Sequence, residues 1–106
     1  LAAFYTARKA HAADWDVAVC TLPPRNNSFS GGQDAAGYAA DRATINNALK
    51  AAAPGTYFDR LIDFSTDANI GPDAAADSTV WFNADKIHPN QNGHNRMAVI
   101  AGAAYP

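Results

Sequence analysis

Large apolar side chains are sparse and fall into separate groups, each with its own period. Leu1, Phe4 and Tyr5 sit among alanines through residue 13, a pattern that predicts a helix already under way at the first residue. Trp15 to Leu22 is almost unbroken apolar and β-branched sequence, which predicts a parallel strand covered on both faces and closed by Pro23-Pro24. Residues 25–36, with Asn26, Asn27, Ser28, Ser30, Gly31 and Gly32, predict a loop. Gly37 to Ala53 then predicts a helix with Tyr38, Ile45, Leu49 and Ala52 as its apolar stripe, stopped by Pro54-Gly55. Arg60 to Phe64 predicts a second short strand. Strand, helix, strand with a long connection implies a right-handed crossover and parallel pairing. Residues 65–84 form a stretch rich in Asp, Ala and Gly, longer than connections usually run unless they cover or border a site. A last helix is predicted after His88, with Pro89 in its first turn and Met97, Ile100, Ala101 and Ala104 on its buried face.

Composition narrows this picture. The chain of 106 residues is 48% apolar, but nearly half of those residues are alanine, so the core it builds is thin. A thin core with alanine-faced helices is what part of a larger α/β domain would carry. The opening Leu1-Ala2-Ala3-Phe4, with no initiator methionine and no charged leader, reads as an internal start. Eight basic against ten acidic residues leave a net charge of −2, with Lys and Arg scattered, which excludes a polyanion-binding surface and argues against a nucleic-acid partner. No apolar run reaches the roughly 18 to 20 residues of a membrane span. Cys20 is the single cysteine, so no intrachain disulfide forms, and its place in a strand predicts a buried, inert thiol. The cellular compartment stays open, secretion included.

The chemistry concentrates at Asp85-Lys86-Ile87-His88, followed by Pro89-Asn90-Gln91-Asn92-Gly93-His94. In a turn entering a helix, residues three apart reach the same side, so the Asp85 carboxylate is placed to accept the Nδ1–H of His88. That bond fixes the tautomer and leaves Nε2 to take a proton from a nucleophile, while the carboxylate stabilises the imidazolium. On spacing alone the pair reads first as an acidic residue at a helix N-terminus followed by a solvated turn histidine.

The segment from Trp81 to Ala98 resembles the last sequence block of the SGNH, or GDSL, esterase and lipase family. That block reads Phe-x-x-Asp-x-x-His-Pro-Asn-x-x-Gly-His before a helix carrying Met-Ala, matched here by Phe82, Asp85, His88, Pro89, Asn90, Gly93, His94, Met97 and Ala98. Val17 to Arg25 is similar to the family's fourth strand and following loop. Arg42, Ile45, Asn46 and Leu49, with Leu61 to Phe64, are similar to its next helix and strand. The resemblance implies the C-terminal half, with two strands and about three helices, of a flavodoxin-like three-layer domain built on five parallel strands. It implies a serine ester hydrolase (esterase, lipase or carbohydrate deacetylase) with His88 as general base, Asp85 orienting it, and no cofactor. The Gly-Asp-Ser nucleophile block and the Gly-x-Asn-Asp oxyanion block are absent from these 106 residues. The serine and the oxyanion donors are therefore expected from the N-terminal half of the same domain. A catalytically inactive SGNH-like binding or assembly module, keeping the Asp-x-x-His pair as ancestry, is the alternative.

Ser28, Ser30, Ser65 and Ser78 are the chain's serines, and none lies on a tight strand-to-helix turn that would expose a nucleophile. A zinc site wants three or four ligands, and only Asp85, His88 and His94 are neighbours in sequence. His94 reads instead as capping or bracing the first turn of the last helix, and His11 as a surface residue. A ligand cleft in an open parallel sheet lies beyond the carboxyl ends of its strands. That rule makes Arg25, Asn26, Phe29, Trp81 and Phe82 candidate substrate contacts.

Overall fold

In the computed structural model, which describes residues 1–11, 15–27 and 34–105, β1 (Ala18–Cys20) and β2 (Arg60–Ile62) pair in parallel. The register sets Ala18 against Arg60, Val19 against Leu61 and Cys20 against Ile62. Helix α1 (Ala2–His11) precedes β1, α2 (Ala35–Ala51) crosses between the strands, and α3 (Gln91–Ala103) ends the chain. The molecule is thus α/β, with a small parallel sheet and three helices.

The segment 15–22 differs from the doubly covered strand its apolar run predicts. Only three residues are strand, Ala18 and Cys20 are exposed, and Trp15 is 45% exposed. The cause is the sheet's width. The Val17 carbonyl and the Thr21 amide bond toward β2, so the backbone groups of Ala18 and Cys20 point to the other edge, where the described residues supply no strand. Cys20 is accordingly an exposed residue of an edge strand and not the buried thiol the sequence predicts, although partial desolvation still raises its thiol above the usual value.

Helix α2 starts at Asp34, whose carboxylate accepts from the Gly37 amide at 2.6 Å. Its buried face is Arg42, Asn46 and Leu49, while Ile45, assigned by the sequence to the apolar stripe, is 45% exposed. Polar side chains win this face because they satisfy backbone groups at the end of β1. Asn46 accepts from the Leu22 amide at 2.7 Å and donates to the Leu22 carbonyl at 3.0 Å, which imitates a strand neighbour. Arg42 donates to the Leu22 carbonyl, to the Gly71 carbonyl and to Asp73. Gly71 has no room for a side chain, since a Cβ there would lie 2.5 Å from the backbone oxygens of Ser65 and Asp67.

The core lies on the other side of the molecule, between β2, the long segment and α3. Ile62, Phe64, Ile70, Ala75 and Phe82 form it, and Trp81, Met97, Ile100, Ala101 and Ala104 pack against it. The sequence reads residues 65–84 as a bordering loop. They instead hold two short 3-10 turns, Phe64–Thr66 and Asp73–Asp77, and supply Ile70 and Phe82, each only 1% exposed. Helix α3 begins two residues beyond Pro89. Asn90 is its N-cap, accepting from the amides of Asn92 and Gly93.

Candidate active site

Residues 81–90 form a closed turn that carries Asp85 and His88 on its tip. Phe82 and Pro89 make an antiparallel bridge, the Asn83 amide donates to the His88 carbonyl at 2.9 Å, and the Asn90 amide donates to the Trp81 carbonyl at 3.0 Å. The turn is tied to α3 through Asn90, whose side-chain amide also donates to the carbonyls of Thr79 and Phe82. Gly93 completes the junction: a Cβ there would sit 2.2 Å from the Trp81 carbonyl oxygen.

Within the turn, Asp85 Oδ1 accepts from the amides of Ile87 at 2.9 Å and His88 at 3.1 Å, and Oδ2 lies 2.8 Å from His88 Nδ1. The His88 side chain, followed by the two backbone amides, holds the Asp85 carboxyl down to about 2. An ionised carboxylate can only accept, so Nδ1 carries a proton, and in the neutral imidazole Nε2 is the nitrogen that keeps its lone pair. The His88 side chain is 70% exposed, and no partner engages Nε2 among the described residues. The imidazole is therefore held at one nitrogen and open at the other, which is the arrangement a general base requires.

Between Asp85 and His88, Lys86 has φ 59°, the only positive φ of a residue other than glycine among those described. A left-handed lysine costs on the order of 1–2 kcal/mol relative to ordinary helical geometry, so its surroundings must hold it. Several contacts converge there from the loop after β1 and from the second 3-10 turn. The Asn26 amide donates to the Lys86 carbonyl at 2.9 Å, and the Asn27 side chain donates to the Asp85 carbonyl at 3.0 Å. Asp77 pairs with the Lys86 ammonium at 2.7 Å and accepts from the Asn26 side chain at 2.9 and 2.7 Å. Lys86 first, then Asn26, lower the Asp77 carboxyl below the usual range.

The remaining candidate contacts scatter. Asn26 borders the turn but commits its side-chain amide to Asp77. The Arg25 guanidinium lies 4.3 Å from the centre of the Tyr38 ring. Trp81 is half-buried against the core and lines a shallow groove of about 290 Å³ with Asn92, Asn95, Arg96 and Val99. Phe82 is buried beneath the turn, so its side chain supports the site from within the core and offers no surface to a substrate. Phe29, with Ser28 and Ser30, lies outside the described residues. The Ser65 hydroxyl donates to Asp63 at 2.6 Å, which makes it a brace of its own turn. His94 is exposed and caps nothing; the cap is Asn90. No group of three His, Cys, Asp or Glu among the described residues is arranged to hold a metal ion, and no described helix is long and apolar enough to cross a membrane.

Sequence reasoning missed Asp77 and Asn90 as parts of this site. Asn90 was open to detection, because Asn directly before a predicted helix is a favoured N-cap residue. Asp77 was not: eight residues of sequence separate it from Asp85, and only the fold of the 65–84 segment brings it to Lys86. Comparison with protein-family models, with curated protein sequences and with solved structures finds no match to the chain.

Proposed function

We propose that this chain contributes the acid–base half of a serine ester hydrolase of the SGNH type, with His88 as general base and Asp85 as the group that orients it. The observation that carries the reading is the Asp85–His88 pair, 2.8 Å apart, with Nδ1 occupied and the rest of the ring exposed. A serine hydroxyl brought to Nε2 gives its proton to His88 as its oxygen adds to the ester carbonyl. The imidazolium, stabilised by Asp85, then returns that proton to the departing alcohol. Water repeats the sequence on the acyl-serine and releases the acid.

The serine and the oxyanion donors come, in this proposal, from the other half of a flavodoxin-like domain seated on the free edge of β1. Its support is physical. The β1 edge is unpaired among the described residues, and Leu1, Phe4, Ile45 and Tyr57 expose large apolar surface. The radius of gyration is 15.0 Å, against about 13 Å for a compact domain of this length.

The test is ester hydrolysis by the protein that carries both halves. His88→Ala is expected to reduce turnover by several orders of magnitude, as loss of a triad base does. Near-unchanged turnover in His88→Ala removes the assignment, and a protein with no ester hydrolysis at all leaves an inactive binding or assembly module in its place.

A further inference from the structure

The turn that presents Asp85 and His88 is closed by its own backbone bonds, from the Asn83 amide to the His88 carbonyl and from the Lys86 amide to the Asn83 carbonyl, yet it contains one strained residue. Lys86 adopts a left-handed conformation between them, and the Asp85 carboxylate gathers its three donors only because the chain reverses there. Nothing inside the tetrapeptide holds that conformation beyond the donors themselves. From outside residues 81–90, the hold comes from one carboxylate and the loop it organises. Asp77 takes the Lys86 ammonium on Oδ1 at 2.7 Å and receives the Asn26 side-chain amide on both oxygens. Asn26, so fixed, gives its backbone N–H to the Lys86 carbonyl, and Asn27 beside it reaches the Asp85 carbonyl. Lys86 is thus gripped by Asp77 at its ammonium and, through Asn26, at its carbonyl, while its amide donates to the Asn83 carbonyl at 2.9 Å within the turn.

We propose that Asp77 is a positioning residue which, through Lys86 and Asn26, clamps the left-handed turn that brings the Asp85 carboxylate onto His88. Asp77 touches neither the imidazole nor the Asp85 side chain, and its effect travels through the backbone of Lys86. The clamp also joins the end of β1 to the histidine turn, so displacement of the 25–27 loop is transmitted to Asp85. The proposal rests on the reading of Asp85 and His88 as the working pair, but its test needs neither a serine nor an ester.

The experiment follows the Asp85 side-chain carboxyl carbon by NMR in the 106-residue chain as acid is added. In the unaltered chain the carboxyl is expected to titrate at about 2, held down by His88 and the two backbone amides. Asp77→Ala is expected to shift that midpoint toward the ordinary aspartate value of about 3.9, because Lys86 relaxes and the three donors part from the carboxylate. Adding Lys86→Gly to Asp77→Ala is expected to bring the midpoint back toward about 2, since glycine adopts positive φ without the clamp. A general loss of packing would not be repaired by removing a side chain from an exposed turn, so this rescue separates positioning from mere structural support. The proposal is overturned if Asp77→Ala, with its amide spectrum otherwise intact, still titrates Asp85 at about 2, or if the double variant stays shifted. Should Asp77→Ala fail to fold, Asp77→Leu, which is close to isosteric and removes both the charge facing Lys86 and the acceptors for Asn26, is read by the same two outcomes. Failure of the clamp leaves the hydrolase reading standing, whereas that reading fails on the activity of His88→Ala.

Discussion

Asp85 is an exposed carboxylate whose behaviour is set by three donors from its own turn. Its folded-state value of about 2 lies below the ordinary value of about 3.9, so it stabilises the turn fully above roughly pH 4 and loses that contribution as the pH falls through about 2. Chemical shifts of the Ile87 and His88 amides are expected to report the Asp85 titration as a common step centred near pH 2. Movement centred near 3.9 would mean that the three bonds do not persist in solution. Asp85→Asn is expected to keep the backbone bonds in part but to lose the charge that stabilises an imidazolium, as the equivalent change does in serine proteases, where it costs about 10⁴ in turnover. The spacing of Asp85 and His88 was legible in the sequence because a three-residue turn is local. The left-handed Lys86 was not, since lysine has no preference for that region and is held there by Asp77 from another segment.

At the level of elements, the pattern predicted three helices and two parallel strands, and these are present with boundaries displaced by a few residues. Periodicity failed on α2, where Arg42 and Asn46 take the buried face. Hydrophobic spacing cannot see a polar side chain that is buried in order to satisfy a strand end. Arg42→Lys is expected to destabilise the fold by about 1–3 kcal/mol in chemical denaturation, because one ammonium cannot serve the carbonyls of Leu22 and Gly71 and the Asp73 carboxylate together. A lysine variant as stable as the parent would show that these acceptors find water instead. Gly93→Ala tests the junction of the histidine turn with α3. The added methyl meets the Trp81 carbonyl oxygen and Pro89, and an overpacking cost of about 1–3 kcal/mol is expected, visible as a lower melting temperature. Unchanged melting would place α3 farther from the turn than described here. The sequence showed that a glycine stands there, but the reason lies in the approach of Trp81, which only the closed turn reveals.

For the whole molecule, the thin core foreseen from the alanine content is visible as a cluster confined to β2, the 65–84 segment and α3. The opposite side, with the free edge of β1 and a groove of about 390 Å³ lined by Leu1, Ala2, Ile45, Ala48, Leu49 and Tyr57, carries exposed apolar surface. Alone, the chain is expected to self-associate with rising concentration in sedimentation velocity, through that edge and surface. A monomer that persists at high concentration would indicate that these groups are adequately solvated. The central claim is that Asp85 and His88 serve a serine supplied by a companion half. It is tested most directly by treating the purified protein with a serine-reactive fluorophosphonate and recording a denaturing intact-mass spectrum. The account predicts one adduct, carried on a companion chain or a longer parent, lost in His88→Ala, and none on an 11.2 kDa species of this sequence. A preparation consisting of the 11.2 kDa chain alone, unlabelled and without hydrolytic activity, would contradict it.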